Sequence, residues 1–131
     1  MARILYVEND PARADRVRPL LQARGHRVEV VTKAGRAMMR VDEGEKYDAL
    51  LLHLALPGID GAEFCRWIEH ETPLKGIPKV AYTWEGCTLN LGVEEGVPCW
   101  LPVTRLLRRL ESVGHIVDAM EDVLEDNGQA E

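Results

Sequence analysis

Four short stretches of the chain carry side chains that could do chemistry together. Glu8, Asn9 and Asp10 follow the apolar run Ile4-Leu5-Tyr6-Val7. His53 sits near the end of a second apolar run, A-L-L-L-H-L at 49–54. Thr83 closes P-K-V-A-Y-T at 78–83, and Pro102 and Val103 follow P-C-W-L at 98–101. An imidazole beside a carboxylate and an amide has three uses. His53 could be a structural histidine bonded to Glu8 or to a backbone carbonyl, since buried polar groups find partners. It could be a pH-sensitive switch, because histidine titrates near neutrality and Glu8 could hold its proton. It could carry a phosphoryl group or bind a transition metal, although a metal site needs further ligands that the sequence does not supply. The structural role is the expected one. His26, after Gly25, and His70 and His115, on predicted helices, are expected to be solvated. No glycine-rich phosphate loop and no second nucleophile–base pair occurs, so no catalytic residue is assigned, no metal site is expected and the chain is not expected to be an enzyme.

The elements that must position these residues alternate in type. Ile4–Val7 reads as a buried strand. Asp10-Pro11 reads as an N-cap followed by a first-turn proline, opening a helix that buries Val17, Leu20 and Leu21 and stops at Gly25, with Pro19 loosening its middle. Arg27–Val31 is a β-branched second strand, and Ala34–Val41 a helix closed by Gly44. Ala49–Leu54, almost continuously apolar, is the pattern of a central strand covered on both faces. A turn-rich loop, Leu56 to Gly61, leads to a helix over Ala62–Glu69, and Pro78–Thr83 forms a fourth strand. Trp84–Gly96, with Gly86, Asn90, Gly92 and Gly96, supports only a short, weak helix. A short fifth strand is expected at Pro98–Leu101. A long last helix is expected over about 104–125, with Leu106, Leu107, Leu110, Val113, Val117, Met120 and Leu124 at helical spacing and a frayed tail after 125.

Strand–helix alternation of this kind argues for one α/β domain over 1–131, with a parallel sheet, helices on both faces and right-handed crossovers. In such sheets reactive groups gather at the carboxyl ends of the strands, which brings Glu8, Asn9, Asp10, His53, Thr83 and the Pro102-Val103 segment together. The bulk numbers agree with one soluble domain. The chain has 131 residues, 46% hydrophobic and 29% charged, with a formal net charge of −6. The acidic balance argues against nucleic acid or an anionic membrane as the main partner. Three cysteines, Cys65, Cys87 and Cys99, form no C-x-x-C pair and fit no disulfide framework, as expected of a cytoplasmic protein.

Taken together, these motifs resemble the CheY-like receiver domains of two-component signalling, over nearly the whole chain. The strongest element is L-A-L-P-G-I-D-G at 54–61. In receivers the phosphate-accepting aspartate is followed by x-x-x-P-G-x-x-G at this spacing. Here Pro57, Gly58 and Gly61 are kept and His53 takes the acceptor position. V-E-N-D-P is similar to the acidic corner that holds magnesium. Glu8 matches its first acidic residue, and Asn9 stands where the second, direct metal ligand is normally aspartate. Thr83, in Y-T-W-E-G, matches the residue that bonds the phosphoryl oxygen. G-V-P-C-W-L-P-V-T at 96–104 resembles the segment that supplies the aromatic switch residue and the conserved lysine, which places Trp100 at the first and Val103 at the second. The resemblance implies a flavodoxin-like, doubly wound five-stranded parallel sheet in the order 2-1-3-4-5.

The resemblance also implies a lost chemistry. Phosphoryl transfer is mainly positioning and charge neutralisation. Asn9 offers no charge, His53 offers a nitrogen that magnesium tolerates poorly, and Val103 offers nothing. The expectation is a degenerate receiver: no cofactor, magnesium binding weak or lost, and signalling through a protein partner such as a histidine kinase, a phosphotransfer protein or a downstream factor. Two alternatives stand beside it, an active receiver phosphorylated by an unusual route such as His53, and a flavodoxin-like ligand-binding protein or enzyme. The apolar stripe of the last helix through Met120, Val123 and Leu124 either packs on its own domain or forms a homodimer contact. Asp60 is expected to be only a turn residue.

Overall fold

The computed structural model describes residues 2–56, 61–84, 97, 101–110 and 112–126, and of Trp84, Arg108, Arg109, Leu110 and Asp126 the backbone alone. The first half of the chain alternates as its periodicity demands: β1 (Arg3–Val7), α1 (Pro11–Ala23), β2 (Arg27–Val31), α2 (Ala34–Asp42), β3 (Ala49–His53), α3 (Gly61–Glu71) and β4 (Lys79–Trp84). Among the described residues, β5 (Arg105–Leu110) and α4 (Val113–Asp126) follow. The predicted helix over Trp84–Gly96 falls on residues that are, after Trp84, outside the described ones. All strand pairs are parallel, and the order is β2-β1-β3-β4-β5.

Side-chain alternation along each strand builds two cores, one per sheet face. Leu5 and Val7 of β1, Leu50 and Leu52 of β3 and Ala81 of β4 pack with Ala37 and Val41 of α2 and Phe64, Cys65 and Ile68 of α3. Ile4, Tyr6, Ala49, Leu51, Val80 and Tyr82 face the other way, onto Val17 and Leu21 of α1 and Ile116, Met120 and Val123 of α4. The five residues of β3 are buried throughout, as a central strand requires.

Local signals fix the helix starts and stops. The Asp10 carboxylate accepts from the Ala12 amide at 3.1 Å and caps α1. Gly25 and Gly44 follow α1 and α2 with φ of +90° and +92°, a conformation that costs glycine little. The helix runs through Pro19, and Leu20, expected in the core, is 40% exposed.

The carboxyl-terminal third departs from expectation. The segment expected to begin the last helix, from about 104, is instead a strand: Val80, Ala81 and Tyr82 pair with Arg105, Leu106 and Leu107. Neighbouring leucines take opposite faces, Leu106 with the α2–α3 core and Leu107 with the α1–α4 core. Leucine and arginine favour helices slightly, but the open edge of β4 offers hydrogen bonds and two apolar surfaces, and that tertiary gain overrides a weak local preference. The helix starts only at Val113. The expected strand at Pro98–Leu101 falls on residues of which Leu101 alone is described, and it lies in a bend. The last-helix stripe is settled as well: Ile116, Val117, Ala119, Met120, Val123 and Leu124 are each at most 3% exposed within this chain, so the stripe packs on its own sheet and on α1 and does not form an open dimer face.

Candidate functional site

The polar site is assembled by strand parity. Alternation from Ile4 and Tyr6 carries Glu8 to the α1–α4 face. Ala49 and Leu51 carry His53 there, and Val80 carries Tyr82. Register completes the arrangement, since β1 and β4 flank β3 and His53 pairs directly with Tyr82. Glu8 is held in place by its own amide, which donates to Val31 O at 3.1 Å beyond the last residue of β1.

The Glu8 side chain is fully buried and is satisfied from several directions. The Tyr82 hydroxyl donates to Oε1 through a short hydrogen bond. The Tyr6 and Tyr82 hydroxyls lie 2.7 Å apart. Because Tyr82 spends its proton on Glu8, Tyr6 is the donor of that pair, and the chain runs Tyr6 to Tyr82 to Glu8. On the other carboxylate oxygen, Oε2, converge the Asp10 amide at 3.1 Å, the Arg13 guanidinium at 3.4 Å and His53 Nδ1 at 3.5 Å. Nδ1 also lies 3.3 Å from the Asn9 side-chain oxygen. Both neighbours of Nδ1 are acceptors, so Nδ1 carries the proton. Nε2 is buried and has no hydrogen-bond partner among the described residues. The imidazole stacks on the Tyr82 ring, with centroids 5.3 Å apart and planes 16° apart.

Burial by itself would raise the Glu8 carboxyl, but the bonds from His53, Tyr82 and the Asp10 amide outweigh it and hold the group below the ordinary carboxylate value. Burial, the dominant cause, raises both Tyr6 and Tyr82 far above the ordinary phenol. The Glu8 charge and the bond Tyr82 gives it add to the rise at Tyr82. The site thus holds the buried Glu8 carboxylate against Arg13 from α1, whose guanidinium also lies 3.9 Å from the Asp10 carboxylate.

The structure brings Glu8, Asn9, Asp10 and His53 together as the sequence predicts, with Thr83 buried at the end of β4. Val103 requires correction. It precedes β5, and beside it the Thr104 amide donates to Lys79 O at 2.7 Å, at the start of β4. Val103 therefore stands at the amino end of the strands, against the α2–α3 core, a strand length away from Thr83. The cause is the same displacement of β5 along the sequence that replaced the start of the last helix. The register instead places Arg108 and Arg109 in the carboxyl half of β5. Trp100 and Asp60 lie outside the described residues. His26 also needs correcting. Its side chain is 7% exposed, its Nδ1 accepts from the Ala2 amide at 3.1 Å, and its Nε2 is bonded to Glu121 at 2.6 Å, tying α4 to the edge of the sheet.

Tyr6, Tyr82 and Arg13 were not identified from the sequence. A signal existed for the tyrosines: each sits in an apolar run on the parity of Glu8 or His53, and a buried phenol needs a partner. For Arg13 the position two residues after the helix-opening Pro11 gave only a weak hint.

A receiver would hold magnesium at this corner, so the donor set can be tested for fit. The ion demands several hard, charged oxygens in near-octahedral array. Of the corner and acceptor positions 8, 9, 10 and 53, Glu8 and Asp10 carry a negative charge, but both Glu8 oxygens already have protein partners, the Asp10 carboxylate caps α1 and lies 3.9 Å from Arg13, Asn9 is neutral, and His53 presents a nitrogen. The residues present do not fit the ion. Among the described residues no cluster of three or more His, Cys, Asp or Glu side chains could hold a metal.

The family profile described as "Response regulator receiver domain" matches residues 4–89. The chain belongs to that family. Receiver relatives include the transcriptional regulatory protein TcrA of Mycobacterium tuberculosis, 43% identical over 63 residues, which are 48% of this chain and 24% of TcrA. The DNA-binding response regulator MtrA of Mycolicibacterium smegmatis is 33% identical over 96 residues, 72% of this chain and 40% of MtrA. The chain thus spans well under half the length of these two relatives. A CheY-like receiver domain protein from Methanospirillum hungatei superposes with a TM-score of 0.79 over 100% of this chain and 99% of its own, at 19% identity, which shows the receiver fold. No described helix is long and apolar enough to cross a membrane.

Proposed function

We propose that this receiver works as a phosphorylation-independent protein-interaction module of bacterial two-component-type signalling, in the cytoplasm, without a cofactor and without catalysis. One observation carries the reading: the position that ends β3, where a receiver needs an anionic oxygen, holds His53, and its Nδ1 proton is committed to Glu8 and Asn9. The partner is a protein of the same signalling class, a histidine kinase, a phosphotransfer protein or a downstream factor. The fold supports the contact, and the internally balanced charge of the pocket removes the need for a cation. Intact mass after exposure to a small acyl phosphate and magnesium tests the reading. It requires an unchanged mass, and stoichiometric uptake of one phosphoryl group refutes it.

One observation favours a second reading. With the proton on Nδ1, His53 Nε2 keeps a lone pair that no described residue uses. Attack by Nε2 on an acyl phosphate would form a nitrogen–phosphorus bond as the acyl oxygen–phosphorus bond breaks and the carboxylate leaves. A mass increase seen at neutral pH, lost in acid and absent from His53→Gln would establish this route over the first.

A further inference from the structure

A protein-interaction module needs a surface to work through, and the charge of this chain is unevenly spread. Residues 24–40 hold five Lys or Arg and a single acid, Glu29, whereas the rest of the chain holds eleven Lys or Arg and twenty-one acids. Folding lays the basic segment along one edge of the sheet, since β2 is an outermost strand and α2 follows it. We infer that the outer face of α2, with Lys33, Arg36 and Arg40 around Met39, docks an acidic segment of a partner protein that brings one apolar side chain to Met39. The inference rests on the reading of this receiver as a protein-interaction module, and it names the surface and the chemistry of the partner.

Helical spacing builds the face. Arg36, Met39 and Arg40 stand at i, i+3 and i+4, and Lys33 precedes them as the N-cap. Ala34, Ala37 and Val41 turn the opposite side of α2 into the core, which leaves these four residues exposed. Met39 is 62% exposed, the most of the large apolar side chains described. Among the described residues neither Lys33 nor Arg36 has an acidic partner. The nearby acids are engaged inside the protein: Glu29 accepts from Tyr47 and pairs with Arg3 and Arg40, and Glu45 pairs with the same two arginines. Arg27, two residues before Glu29 on the same face of β2, carries the positive strip to the amino end of the edge strand. Asp42 and Glu43 bound it at the end of the helix.

Charge complementarity selects the occupant. Exposed cations without counter-ions attract an acidic surface and steer its approach. Methionine adds a soft, adaptable apolar contact that gains from covering by an apolar side chain. Nucleic acid fits less well, because a row of phosphates gains nothing from Met39 and meets repulsion from the acidic remainder of the chain. One exposed methionine also falls far short of the apolar face that an interfacial helix buries in a membrane.

The test follows amide nitrogen–proton spectra of the full chain at low salt during titration with a synthetic peptide in which glutamates flank one leucine. The expected result is saturable shifts at Lys33, Arg36, Met39 and Arg40, weakened by added salt. Arg36→Glu and Met39→Ser should each bind the peptide at least about fivefold more weakly. Both positions are exposed on the helix, so the substitutions leave the fold intact. No saturable shift, or shifts centred on another face, overturns the inference, and so do variants that bind within about twofold of the wild type. Tighter binding at this face by a single-stranded oligonucleotide or an anionic lipid vesicle also overturns it, in favour of that partner. None of these outcomes reports on phosphate uptake, so the mass measurement with an acyl phosphate judges the loss of phosphorylation separately.

Discussion

Alkaline titration puts the buried tyrosine chain to a quantitative test. The protein has three tyrosines, Tyr6, Tyr47 and Tyr82, and all are raised above the ordinary phenol, by burial first and then, at Tyr47 and Tyr82, by bonds to carboxylates. A group whose folded value lies above its unfolded one contributes stability below the unfolded value, and this is lost as pH rises toward the folded value. The loss for each phenol therefore begins near pH ~10. At about pH 11.5, Tyr6 and Tyr82 stay neutral in the folded chain and ionise in the unfolded one, which costs about 2 kcal/mol per ring. Together they remove about 4 kcal/mol, a large part of the roughly 5–15 kcal/mol of a typical domain. The assay follows tyrosinate absorbance and far-ultraviolet ellipticity in one titration. The two signals should change together, late and steeply, and Tyr82→Phe should make the alkaline loss shallower by one ring. Tyrosinate appearing with a midpoint near pH ~10 while ellipticity stays native would refute the buried Tyr6–Tyr82–Glu8 chain.

Other consequences follow from named contacts. Glu8 is held below the ordinary carboxylate value, so its contribution is present above about pH 4.3 and fades as pH falls; Glu8→Gln should flatten this acid limb in urea-unfolding series. Arg13→Met leaves the buried Glu8 charge without its cation and should cost about 1–2 kcal/mol, discounted because Arg13 is partly solvated, by the shift in urea midpoint. At Gly61 an added Cβ would sit 2.4 Å from the Leu54 carbonyl oxygen, so Gly61→Ala should lose about 1–3 kcal/mol and lower the melting temperature. His26→Ala removes the acceptor of the Ala2 amide and the partner of Glu121, and hydrogen exchange should quicken at Ala2 and along α4, with a loss of about 1–2 kcal/mol.

Much of this was legible in the chain because it is local. β1 and β3 show themselves by buried apolar runs such as Ala49–Leu52, and β2 by its β-branched alternation over Arg27–Val31. The Asp10 cap and the stops at Gly25 and Gly44 follow from backbone preferences of single residues. Parity and strand order then place Glu8, Asn9, His53 and Thr83 at one end of the sheet. The sequence by itself determined that Glu8, Asn9 and His53 would meet at the carboxyl ends of β1 and β3, and that the last residue of β3 is a histidine and bears no carboxylate. Tertiary structure alone decided three things. It made Arg105–Leu110 a strand, since Leu106 and Leu107 gain opposite cores only beside β4, and thereby took Val103 from the site. It buried His26 between the amino terminus and α4, a contact 95 residues apart in sequence that no local pattern encodes. And it balanced Glu8 with Tyr82, 74 residues away, and with Arg13, because a buried charge must be satisfied by whatever the packed chain brings within hydrogen-bond reach.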